Sequence, residues 1–171
     1  DSIYDFLGNN SMFFFPTEGP DAGKAFRFAV GPVQAEMTGP VWSPDGKRLI
    51  FISSRRAGQQ IWVMDSDGKN QVQFSNNPSL LFSRASWSPD LANVVFTQLV
   101  GVGAIPRVAL APFSLDRFDP YRLGQESLPM RDAVFSPDGY WLAFEGWEVG
   151  GSHNIYVMSA TGAGITIVTT S

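Results

Sequence analysis

The 171-residue chain carries 44% hydrophobic and 16% charged residues, a balance that excludes intrinsic disorder and allows one domain with a sizeable core. Its formal net charge of −4 gives no long-range pull toward nucleic acid or an anionic membrane. With no cysteine, disulfides, thiolate catalysis and cysteine-held zinc are excluded as well.

No apolar run reaches the roughly 18–20 residues that span a bilayer. The chain opens at Asp1 without Met or a signal segment, as a processed terminus or a piece of a longer polypeptide does. Aromatic residues make up 13%, and 17 Gly and 12 Pro are scattered through the chain, which predicts many short strands joined by tight turns. No segment offers a capped amphipathic helix of about ten residues.

In chain order, residues 11–15 and 25–30 are predicted strands, separated by a Gly- and Pro-bearing turn at 19–23. Next comes Pro40-Val41-Trp42-Ser43-Pro44-Asp45-Gly46, an apolar strand end followed by a turn. Proline fixes φ there, aspartate bonds nearby backbone N–H groups, and glycine accepts positive φ. Leu49-Ile50-Phe51-Ile52 has the bulky, β-branched character of a strand buried on both faces. After a polar connection containing Arg55 and Arg56, Ile61-Trp62-Val63-Met64 is a third strand, and Asp67-Gly68 is a hairpin signal into a fourth at 71–74.

The pattern then repeats. Trp87-Ser88-Pro89-Asp90 and Phe135-Ser136-Pro137-Asp138 place their prolines 45 and 48 residues beyond Pro44 and Pro89. That interval is close to one four-stranded propeller blade. Ile155-Tyr156-Val157-Met158 repeats the third strand, and 165–168 the fourth. In the middle repeat Leu91 replaces the turn glycine, and Arg107-Val108-Ala109-Leu110 is the candidate third strand after a loop at 99–106. Residues 113–129, with Pro120 and Pro129 and following Pro112, read as an elongated outer connection.

These motifs resemble the TolB-like, WD-type propeller repeat, with its Trp-Ser-Pro-Asp-Gly turn and its Ile-Tyr-Val-Met-type strand. The resemblance runs from about Pro40 to Ser171. It implies an all-β propeller fold with blades of four antiparallel strands, about three and a half of them in this chain. The expected boundaries are a half blade at 1–39 and blades at 40–83, 84–130 and 131–171. Closed rings need roughly four to eight blades. Edge-strand logic therefore favours a piece of a longer polypeptide, then assembly with a second copy, then a small closed ring. The resemblance to the TolB-like family also implies a periplasmic or extracellular setting.

Chemistry is sparse. His153, the single histidine, lies in a Gly-rich loop and reads as a polar loop residue before it reads as a base or metal ligand. No Gly-x-Ser-x-Gly elbow is present. The glycine loops at 101–103 and 146–151 lack phosphate-loop spacing, and Arg55-Arg56 is too short for a nucleic-acid patch. Asp45, Asp90 and Asp138 could form a carboxylate ring for calcium or a basic peptide, but a repeated turn needs each of them as its own cap. Trp42, Trp87 and Phe135 are read as inter-blade core.

The leading expectation is a protein-interaction or scaffolding module, not an enzyme, with no cofactor, no metal and no nucleic-acid partner. Arg55, Arg56, Trp147 and His153 are its candidate binding residues, on a rim without a cluster of perturbed titratable groups. The resemblance also implies an alternative, the substrate-gating propeller of a prolyl-oligopeptidase-type serine peptidase whose catalytic domain lies outside this chain. A third reading, a structural subunit of a large assembly, would place residues 113–129 against a partner.

Overall fold

A computed structural model describes residues 11–30, 37–56, 58–99, 103, 105–148 and 150–169. Half of the expected 99–106 loop, including Gly101 and Val102, lies outside those residues. Among the described residues the fold is all-β, with fourteen strands and no helix. Strands β1 (Ser11–Phe14) and β2 (Phe26–Val30) form an antiparallel pair. Three antiparallel four-stranded sheets follow. The first holds β3 (Met37–Trp42), β4 (Arg48–Ser53), β5 (Gln60–Asp65) and β6 (Val72–Gln73). The second holds β7 (Leu81–Trp87), β8 (Asn93–Leu99), β9 (Arg107–Pro112) and β10 (Tyr121–Arg122). The third holds β11 (Met130–Phe135), β12 (Trp141–Gly146), β13 (Asn154–Ser159) and β14 (Thr166–Ile167).

Each sheet is a meander in sequence order, so the expected propeller blades are present. The meander also sorts the loops. Turns from first to second and third to fourth strand share one rim, and connections from second to third strand lie on the other.

The repeated turn closes the same way three times. The amides of Gly46, Leu91 and Gly139 donate to the carbonyls of Ser43, Ser88 and Ser136 at 2.8, 3.0 and 2.9 Å. Glycine supplies the left-handed backbone in two of them, and Leu91 adopts it too, at φ 64°. Its side chain packs on the core between the first two sheets, which offsets the steric cost of that conformation.

Packing between sheets explains the apolar strands. Ile50, Ile52, Ile61 and Val63 meet Phe82, Trp87 and Phe96, all buried. Val95, Val108 and Leu110 meet Leu142, Phe144 and Met158 in the same manner. Burying one such side chain contributes about 1.5–3 kcal/mol. A polar strap recurs on each of these two interfaces. Gln60 Nε2 donates to the Leu80 carbonyl at 3.1 Å, and one terminal guanidinium nitrogen of Arg107 donates to the Leu128 carbonyl at 2.9 Å. Each ties the start of a third strand to the chain entering the next sheet.

Two expectations are corrected here. Trp87 is core, but Trp42 is 47% exposed. These aromatics pack backward onto the preceding sheet, and before β3 that sheet has only two strands. Residues 113–129 are not a plain outer connection. Tyr121–Arg122 adds the fourth strand, while Phe113 and Phe118 turn inward. Phe113 lies 4.7 Å from Trp87, and Phe118 lies 5.1 Å from Phe74, ring centre to ring centre. The segment closes this chain's own core.

Candidate functional site

All four residues singled out from the sequence fall on one rim, in the connections between second and third strands. They form two separate groups, one on the first sheet and one on the third.

On the first sheet the Arg55 guanidinium lies 4.6 Å from the Trp62 ring and 5.3 Å from that of Phe51. Its Nε donates to Ser53 Oγ at 3.1 Å, and one terminal nitrogen donates to Gln71 Oε1. Burial lowers its pKa from the ordinary arginine value. Arg56 lies 5.5 Å from the same Trp62 ring and is exposed. Arg55 thus covers the apolar patch of Leu49, Phe51, Trp62 and Met64. It is a lid on the core before it is a ligand group.

On the third sheet, Arg131 and Glu145 are direct cross-strand neighbours of β11 and β12. Arg131 grips the Glu145 carboxylate with two hydrogen bonds of 2.8 and 2.9 Å. His153 Nδ1 bonds the same carboxylate, and its ring stacks on Trp147 at 4.3 Å, with the planes 11° apart. The Arg131 guanidinium lies 5.4 Å from the Trp147 ring. Hydrogen bonding from Arg131, with a smaller share from His153, holds Glu145 down to about 2. The same contact raises Arg131 above the ordinary arginine value. A cluster of perturbed charges therefore occupies this rim, contrary to expectation. Trp147 and His153 are brought together by it. Arg131 and Glu145 were missed because only the strand register makes them partners.

A second missed feature lies nearer the propeller axis. Strands β3, β7 and β11 are edge strands of their sheets, and β7 touches both of the others. Each carries a register shift, and the residues at the shift, Gly39, Arg84 and Asp132, have φ of 60°, 44° and 58°. Arg84 Nε stands 3.8 Å from Asp132 Oδ1, an ion pair across two sheets. The Asp132 amide donates to Thr97 Oγ1 at 2.9 Å.

The opposite rim carries the three turn aspartates. Asp45, Asp90 and Asp138 accept from Ser43, Ser88 and Ser136 hydroxyls at 2.7, 2.6 and 2.5 Å. Each also accepts a backbone amide two residues on, and all three pKa values are lowered, first by the serine hydroxyl. They cap turns, and no metal-holding group of three His, Cys, Asp or Glu occurs among the described residues. Between the second and third sheets this rim has a hollow of about 350 Å³ lined by Pro89, Leu110, Tyr121, Phe135 and Tyr140.

Sheet topology and the ordered repeat define a class, the β-propeller of TolB-like fold. No family model matches the chain. The putative TolB of Agrobacterium tumefaciens superposes with a TM-score of 0.78 at 17% identity, over 95% of this chain and 56% of that one. A puromycin-hydrolyzing peptidase of Mycobacterium tuberculosis superposes with a TM-score of 0.66 at 14% identity, over 87% of this chain and 25% of that one. By sequence, the uncharacterized peptidase YuxL of Bacillus subtilis (strain 168) is 26% identical across 71% of this chain, which covers 24% of that protein. The chain thus spans about a quarter of that relative's length. These findings correct the expectation that the chain is not an enzyme: the sequence relative and one structural neighbour are named peptidases.

Proposed function

We propose that this chain is the propeller portion of a peptide-hydrolysing enzyme and selects which peptides reach the catalytic part. The observation carrying this reading is the sequence match to a quarter of a protein named a peptidase. That match covers a propeller and, in this chain, no hydrolase elbow. A propeller suits selection because its blades surround a channel whose edge strands and rim loops meet whatever enters. The rim bearing Trp147, His153, Arg131 and Glu145 offers charged and aromatic groups held rigid by one another.

The test is to read the coding frame on both sides of residues 1–171 and assay the full product on aminoacyl-p-nitroanilides and longer peptides. Hydrolysis that falls with peptide length, and loses that dependence in a Trp147→Ala variant, is the expected result. A reading frame with no hydrolase segment would sink the proposal.

A second reading, a surface that docks another protein, is supported by the charged and aromatic groups gathered on the same rim, Arg131, Glu145, Trp147 and His153. Fold alone does not choose between them.

A further inference from the structure

The geometry points to Arg84, with Asp132 beside it, as a clasp for the free α-carboxylate of a peptide on the inner edge of the propeller. This rests on the peptide reading above and adds the chemical group that is recognised.

The case starts from backbone strain. All three first strands place one residue in the left-handed region where their register shifts. β3 fills that position with Gly39, for which the conformation has no steric cost. β7 fills it with Arg84 and β11 with Asp132, so the bulge itself does not require a side chain. Aspartate tolerates this backbone well, and the Asp132 amide is satisfied by Thr97. Arginine gains nothing comparable. The Arg84 side chain is 67% exposed, and its recorded ion pair is a 3.8 Å contact through Nε. Strained residues and bulges gather where a side chain is aimed at a ligand.

Position gives the ligand its character. β7 and β11 are edge strands lying side by side, so Arg84 and Asp132 face the inner edge where a threading peptide passes. Engagement through Nε leaves the two terminal nitrogens of the Arg84 fork for an incoming group, and a carboxylate matches that fork with two parallel hydrogen bonds. Asp132 Oδ2 is also 4.0 Å from Arg131 Nε, and Arg131 is already held by Glu145. Arg84 is therefore the less committed cation of the pair. With Asp132 adjacent, the local charge suits a monoanion better than a dianionic phosphate.

The experiment is a calorimetric titration of the chain with tetraalanine and with tetraalanine amide, on the wild type and on Arg84→Gly. Glycine fits φ 44° without strain, so the variant is expected to melt no lower than the wild type. The expected result is that wild type prefers the free acid by about fivefold or more. In Arg84→Gly the acid then falls to the affinity of the amide. Arg84→Lys, charged but without the fork, should fall between. Equal binding of acid and amide by the wild type would leave the peptide reading standing and overturn the clasp. Binding of neither would overturn both. An unchanged preference in Arg84→Gly, or a variant that melts well below the wild type, would assign Arg84 a different or structural role.

Discussion

Single side chains on this propeller are set by charge partners at short range, and their protonation ties them to stability. Glu145 titrates at about 2 in the fold against 4.5 for a free glutamate, because Arg131 and His153 favour its charged form. A depressed folded pKa means that the contribution is fully present above the unfolded value and is lost as pH falls toward the folded one. The urea midpoint should therefore drop between about pH 4.5 and 2, with Asp45, Asp90 and Asp138 adding in the same direction. Glu145→Gln should flatten part of that drop and lower the midpoint at neutral pH; an unaltered pH profile would remove Glu145 from the account. Arg55 makes the complementary case. Its guanidinium spreads over Trp62 and Phe51 while its polar end is bonded. Arg55→Ala is expected to cost about 1–2 kcal/mol in chemical denaturation and to shift Trp62 emission. Arg56→Ala, exposed and without the bonds to Ser53 and Gln71, should stay within about 0.5 kcal/mol.

Strands and turns differ in how openly the sequence shows them. The Ser-Pro-Asp turns are legible because every determinant lies within five residues, and even Leu91, which breaks the glycine rule, occupies the expected turn. The third strand at Arg107–Pro112 and the strands at 11–14 and 26–30 were legible from β-rich composition between turn signals. The bulges were not, since Arg84 gives no turn signal in β7 and a lone Asp132 is a weak one in β11, and they emerge only when the three first strands are set in register. The same is true of Arg131 and Glu145, fourteen residues apart in sequence and adjacent across β11 and β12. Prolines in and around 113–129 argued for an outer course and hid the fact that two phenylalanines there face inward. That inward turn has a measurable consequence. Phe118→Ala should cost about 2–4 kcal/mol, because its ring abuts Phe74, Phe82 and Phe96. Leu115→Ala, from the same segment but 47% exposed, should be nearly silent. Equal effects of the two would return the segment to a surface loop.

For the molecule as a whole, the decisive contrast lies between its covered and uncovered sheet faces. The first sheet turns Ile50 and Ile52 to the second, and the second turns Val95 and Thr97 to the third. The equivalent residues of the third sheet, Ala143 and Glu145, point the other way, with Val134 and Ile155 flanking them and Trp141 beside Ala143 in β12. Val134, Trp141 and Ile155 are 50%, 50% and 44% exposed. In the two buried interfaces the positions equivalent to Ile155, filled by Ile61 and Val108, are buried, so this face keeps the chemistry of a blade interface with part of its apolar area in water. Contiguous apolar area of that kind drives association. Light scattering over a concentration series should therefore give a mass rising above the 18.7 kDa of one chain. Trp141→Glu combined with Val134→Lys should return it to 18.7 kDa. Half-exposed positions accept charge at small cost, so the double variant should still melt cooperatively and the comparison reads association, not unfolding. If the wild type stays at the monomer mass throughout, the face is not sticky enough to pair with a second copy. If it associates and the double variant associates equally, the contact lies elsewhere, and the β1–β2 end of the chain becomes the surface to test.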